Sequence, residues 1–113
     1  MSEHLVQKAI VEYLELVLPS SIRVVAVANK PRSAMQGRLE KERGSKKGFP
    51  DIILVGSIFA MMEVKKEGGK LAPEQREWRD FCAAQQIPYA VVRSVRDVQE
   101  TLAEWGVKPR ALA

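Results

Sequence analysis

Hydrophobic and polar positions follow two rhythms along this chain. From Ser2 to Leu18 the apolar residues Leu5, Val6, Ala9, Ile10, Tyr13, Leu14 and Val17 recur every three or four positions, the spacing of one helix face. Ser2 offers an N-cap hydroxyl and Glu3 an acid in the first turn, where the helix dipole favours it. At about 100° per residue the stripe centres near Val6, Ile10 and Tyr13. Pro19-Ser20-Ser21 stops that helix, and Ile22 to Ala28 follows as a β-branched strand. Ser33 caps a short helix over residues 34–43, weakened by Gly37. From Phe49 to Lys65 the pattern is two apolar strands around a break at Gly56-Ser57. Pro73 opens a helix to about Gln86, with Trp78, Phe81 and Cys82 on its core side. Ile87 to Arg93 is a strand entered through Pro88. Ser94 with Asp97 resembles a capping box for a last helix, whose inner stripe is Val95, Val98, Leu102 and Trp105 and whose end is Gly106. This order predicts an α/β sandwich with a mixed sheet between helices. The tail from Lys108 carries no pattern.

The 113 residues suffice for one core and not for two, so residues 1–113 form a single domain. One cysteine, Cys82, excludes an internal disulfide framework and a cysteine zinc cluster, and a reducing cytoplasm is the expected setting. No apolar run approaches the ~20 residues of a membrane span, and no signal-peptide pattern opens the chain. His4 is the single histidine, which excludes nuclease sites built from several imidazoles. No GxxxxGK[ST] loop occurs, so no nucleotide cofactor is expected.

Charge is placed unevenly. The net charge is +4, yet Lys30, Arg32, Arg38, Lys41, Arg43, Lys46 and Lys47 outnumber Glu40 and Glu42 by five within one segment. A basic run is often only solvated surface. Its position just before Pro50-Asp51, with Gly44 and Gly48 allowing close backbone approach, favours phosphate binding. Lys66 and Lys70 extend this basic set beyond the hairpin.

Within the apolar hairpin only Asp51, Glu63 and Lys65 are charged. A carboxylate buried alone in such surroundings costs several kcal/mol, so the stretch calls for a cation. Register decides whether one cation can serve both acids. A three-residue connection, Gly56 to Ile58, or an equivalent bulge sets Ile53 opposite Met61 and Asp51 opposite Glu63, on the face that Lys65 shares. A two-residue connection would separate them. Paired carboxylates suit Mg²⁺ or Mn²⁺, with positions left for water and a substrate phosphate, and the lysine can orient water or offset phosphate charge.

Pro50-Asp51 followed by Glu63-Val64-Lys65 resembles the signature of the PD-(D/E)xK nuclease superfamily. The resemblance implies a restriction-endonuclease-like α/β core in which Asp51, Glu63 and the Val64 carbonyl are metal ligands and Lys65 is the catalytic lysine. It also implies a glutamate from the first helix, for which Glu3 is the candidate and Glu12 the weaker one. The longer set Gly48-Phe49-Pro50-Asp51, Glu63-Val64-Lys65, Gly69-Lys70-Leu71, Pro73-Glu74-Gln75 and Trp78 is similar to stand-alone VRR-NUC (virus-type replication-repair nuclease) proteins. That likeness adds Gln75 to the active-site surroundings. It implies a homodimer acting on branched DNA such as Holliday junctions or flaps, in DNA repair and in a bacterial or phage-infected cell. One departure is Ala72, where the family often carries a helix-capping serine. The expected activity is Mg²⁺- or Mn²⁺-dependent endonucleolytic hydrolysis of DNA. A non-catalytic DNA-binding subunit and an RNA-cutting nuclease of the same core are the alternatives.

Overall fold

The computed structural model describes residues 1–28 and 33–110, with Glu40 described by its backbone alone. In chain order the elements are α1 (Glu3–Val17), β1 (Ile22–Ala26), α2 (Ala34–Glu42), β2 (Ile52–Gly56), β3 (Ala60–Val64), α3 (Pro73–Ala84), β4 (Tyr89–Val92) and α4 (Val95–Glu104). The strands lie in the order β1-β2-β3-β4. The first three are mutually antiparallel, and β4 runs parallel to β3, joined to it through α3. A parallel neighbour needs such a crossover, which is why a helix separates β3 from β4.

Along all four strands, parity assigns the faces. The even-numbered residues Ile22, Val24, Ile52, Leu54, Ala60, Met62, Val64, Ala90 and Val92 pack in the main core with Val6, Ile10, Leu14 and Val17 of α1 and Val98 and Leu102 of α4. The odd-numbered residues form the opposite face, over which α3 lies at the β3–β4 side, with Cys82 Sγ 3.8 Å from Met61 Sδ. Farther out, Val25 and Val55 remain exposed.

The hairpin has the expected register. Ile52 pairs with Met62, Ile53 with Met61 and Leu54 with Ala60, so the next step outward sets Asp51 against Glu63. Gly56 is the last residue of β2, with φ +143°, and a Cβ there would lie 1.9 Å from the Ser21 carbonyl oxygen. The Ser57 N–H donates to that same oxygen at 2.9 Å. A side chain at position 56 would therefore force the hairpin end away from β1.

Several boundaries differ from the sequence reading. β1 stops at Ala26, α3 stops at Ala84 and β4 is confined to Tyr89–Val92; Gln86 adopts φ +59°, which no helix can continue. The buried stripe of α1 runs through Leu14 and Val17 rather than turning toward Tyr13. Phe81 is 50% exposed, so the inner side of α3 rests on Cys82 and the partly covered Trp78. The C-terminal tail, patternless in sequence, is pinned to the end of α1. The Arg110 backbone N–H donates to the Val17 carbonyl at 2.7 Å, and its guanidinium donates to the carbonyls of Leu16 and Glu15 at 2.7 and 3.2 Å. These are the carbonyls a helix end leaves without partners.

Candidate active site

Asp51 is 2% exposed, Glu63 1% and Lys65 8%. Three ionisable side chains this deep on one sheet face are unusual, because such groups are rarely buried without partners. Asp51 is held at both ends: its carbonyl accepts from the Val27 N–H at 2.8 Å, and its Oδ2 accepts from the Val64 N–H at 2.8 Å. The second bond crosses the hairpin where the ladder has ended. It replaces a backbone acceptor with a carboxylate and fixes the orientation of that carboxylate.

Glu63 is oriented from above. The Gln75 side-chain amide donates to Glu63 Oε1 at 2.8 Å, while Gln75 Oε1 accepts from the Ala72 N–H at 2.7 Å. These two bonds fix which way the amide points, since one end must accept and the other donate. Ala72 is the N-cap of α3 and has no hydroxyl to offer the first turn. Gln75 supplies the reciprocal half of a capping box and, through its other end, ties α3 to the acid pair.

The loop before β2 closes one side. Gly48 has φ +79°, and a Cβ there would lie 2.6 Å from the Glu74 carbonyl carbon and 2.9 Å from the Gln75 nitrogen. Glycine thus lets this backbone lie directly on the first turn of α3. Phe49 meets Trp78 edge to face, with centroids 4.9 Å apart, and Lys47 Nζ lies 3.5 Å from Glu74 Oε1. Hydrogen bonding to its own backbone N–H, helped by Lys47, holds the Glu74 carboxyl below the usual range. Lys47, Gly48, Phe49, Asp51, Ala72, Glu74 and Gln75 line an open pocket that leads to Asp51.

Tyr89 is a neighbour that sequence reasoning misses. It pairs with Met61 on the odd face, and its buried hydroxyl has no hydrogen-bond partner among the described residues. Burial, then the Glu63 carboxylate, push its pKa well above the ordinary phenol value. Only the β3–β4 register reveals this proximity, and that register is not visible in a linear pattern.

Among the other candidates, Glu3 heads α1 and is half-buried, whereas Glu12 is exposed. No group of three or more His, Cys, Asp or Glu side chains able to hold a metal is found among the described residues, so the acids that share a face are the pair Asp51 and Glu63. Arg38, Arg43, Lys46, Lys47, Lys66 and Lys70 are all exposed. Arg38 lies on α2, which Ser33 caps by accepting from the Gln36 N–H at 3.1 Å. Lys30 and Arg32 lie outside the described residues.

The VRR-NUC domain model matches residues 2–96. The chain belongs to the VRR-NUC family. It is therefore a nuclease-type domain. A solved structure described as a "VRR_NUC domain protein" superposes with a TM-score of 0.68 over 93% of this chain and 88% of that one, at 18% identity. With the family match, the mixed four-stranded sheet flanked by helices fits a restriction-endonuclease-like core. No curated protein matches the sequence. No helix among the described residues of the VRR-NUC chain is long and apolar enough to cross a membrane.

Proposed function

We propose that this protein is a metal-dependent, structure-selective DNA endonuclease that acts as a homodimer on branched DNA such as Holliday junctions or flaps. The observation that carries the reading is the pairing of two buried carboxylates, Asp51 across from Glu63, with Lys65 two residues farther on the same face. Hard oxygen donors fit Mg²⁺ or Mn²⁺, and Mg²⁺ is commonly held by one or two carboxylates plus substrate phosphate rather than by a full protein cage. Asp51, Glu63 and the Val64 carbonyl would hold the ion. Such an ion supplies positive charge that polarises a phosphodiester and acidifies water.

The chain's own residues do the rest. The Val64 N–H and Gln75 amide keep both carboxylates in one orientation before substrate arrives, so little reorganisation is left for the reaction. Lys65, buried two residues after Glu63, would orient the attacking water or offset charge on the scissile phosphate. Glu3 is proposed to approach the same centre from α1. Flanking phosphates would rest on the exposed cations Arg38, Arg43, Lys46, Lys47, Lys66 and Lys70, and Lys30 and Arg32 are proposed to contribute as well. Contacts of this kind bind backbone rather than sequence and weaken steeply with salt. For the homodimer, support comes from the exposed apolar residues Val25 and Val55 on the open part of the site's face and Phe59 beside them.

The test is one set of cleavage reactions on flaps, nicked duplex, four-way junctions and single-stranded RNA, each with Mg²⁺ and with Mn²⁺. The expected result is metal-dependent scission of branched DNA that Asp51→Ala, Glu63→Ala and Lys65→Ala each abolish. Binding without scission under every condition, or scission confined to RNA, would overturn the reading. Light scattering at micromolar concentration tests the dimer, and a monomer counts against it.

A further inference from the structure

The turn that follows Lys65 is gripped from outside. Arg93 directly follows β4, and since Val64 pairs with Val92 at the end of the parallel ladder, Arg93 comes next to Lys65. The Lys65 N–H donates to the Val92 carbonyl at 3.0 Å, which keeps the two strands together to that point. From there the Arg93 guanidinium reaches over the loop: its Nη1 donates to the Lys66 carbonyl at 2.9 Å and to the Gly69 carbonyl at 2.7 Å. Those carbonyls belong to the first and last residues of a tight turn, closed by the Gly69 N–H donating to the same Lys66 oxygen at 3.0 Å. The Arg93 backbone is fixed in turn, its N–H donating to Asp97 Oδ2 at 2.8 Å.

Loop carbonyls at the surface are adequately served by water, so a guanidinium on them adds little net stability. What it adds is position: one guanidinium nitrogen donating to both carbonyls holds them in one geometry, which water does not. The turn so held carries Lys66 at its start and leads directly into Lys70, two exposed cations that follow the Glu63-Val64-Lys65 stretch in the chain. Farther along, the Arg76 guanidinium takes the Leu71 carbonyl at 2.9 Å. The whole link from β3 to α3 is thereby braced by arginines that face its backbone.

We propose that Arg93 is a positioning residue that sets Lys66 and Lys70 against the DNA backbone leaving the site, without itself touching the reacting atoms. The inference rests on the nuclease reading for what the lysines bind, though not for the brace itself.

Two measurements separate those layers. Limited trypsin digestion without nucleic acid reads the brace: Arg93→Ala and Arg93→Met, the second keeping the aliphatic stem, should speed cleavage after Lys66 and Lys70 by about tenfold, because cleavage follows the population of the opened loop. Arg93→Lys, whose single ammonium nitrogen carries three donors, should restore most of the protection. Binding and turnover read the consequence: KM for a cleavable junction should rise about tenfold with kcat within about twofold, and the slope of log affinity against log salt should shrink by roughly one to two contacts. In a Lys66→Ala/Lys70→Ala background, adding Arg93→Met should change KM by less than about twofold. Unchanged trypsin sensitivity in both folded variants, or full multiplication of effects in the triple variant, would overturn the proposal. If Arg93→Ala does not fold, Arg93→Met and Arg93→Lys carry the same comparison. An unsubstituted protein that cuts nothing would sink the nuclease reading while leaving the trypsin result to judge the brace.

Discussion

The two faces of this sheet are built from the same strands and differ in what they tolerate. The even face is closed by α1 and α4 and is aliphatic throughout, with Ile52, Leu54, Met62 and Val64 fully buried. The odd face buries Asp51, Glu63 and Lys65 under one end of α3 and leaves Val25 and Val55 open at the other side. Apolar closure supplies the stability that lets the second face bury two carboxylates, groups whose removal from water costs free energy. The contrast is therefore between neighbours one residue apart: Ile52 and Met62 fill the core, while Asp51 and Glu63 carry the buried charge.

The sharpest way to break that comparison is on the odd face. Asp51→Ala or Glu63→Ala should lower metal-dependent cleavage by about 10³-fold or more, from what charged groups contribute to transition states. Glu63→Gln, which keeps an oxygen to accept from the Gln75 amide, should remain folded without divalent ion. Mn²⁺ should raise the melting midpoint of the unsubstituted protein and not of Glu63→Gln, because only a ligand bound to the folded state stabilises it. Calorimetry with and without metal checks both, and a midpoint insensitive to Mn²⁺ would argue against a metal centre.

On the even face, Leu54→Ala should cost about 3 kcal/mol in urea titrations, the usual toll of a large-to-small change in a packed core. Specific activity per folded molecule should change little. A smaller effect is expected where α3 meets the acids: Gln75→Ala should lower activity by roughly 10- to 100-fold, the range for groups that orient metal ligands. Gln75→Glu should do worse, as it sets a third carboxylate against Glu63.

Tyr89→Phe should be the mildest. Its hydroxyl lacks a hydrogen-bond partner among the described residues, so its loss should alter stability at neutral pH by less than about 1 kcal/mol. The pH dependence should differ. Burial raises the folded-state pKa above the unfolded value of about 10, so the unfolded chain ionises first and stability declines as pH rises past about 10. In Tyr89→Phe that decline should be shallower, as denaturant midpoints from pH 8 to 11 would register.

Much of this is legible in residue order. The acid pair can be placed because a strand period of two and one connector length leave a single register that joins Asp51 to Glu63. Gln75 can be singled out because a polar residue on the apolar side of a helix requires a partner, here Glu63 and the Ala72 N–H. Arginine clasps leave no such mark. Arg76, Arg93 and Arg110 all donate to backbone carbonyls, and a carbonyl belongs to every residue, so no spacing rule shows where one will be taken. Ring size alone assigns Phe81 inward, yet it lies half-exposed beside Trp78, with centroids 5.7 Å apart. The Glu3 expectation depends on how the head of α1 approaches the sheet, a tertiary matter that helical periodicity does not settle.

β3 is bonded along both sides, antiparallel to β2 and parallel to β4. It cannot slide without breaking two ladders at once, so extra residues spliced after Ser57 should loop outward and leave Asp51 and Glu63 aligned. That tip lies roughly 20 Å from Asp51, six strand residues away, so a fluorophore attached there would report on the exposed Val55 and Phe59 edge without touching the acids.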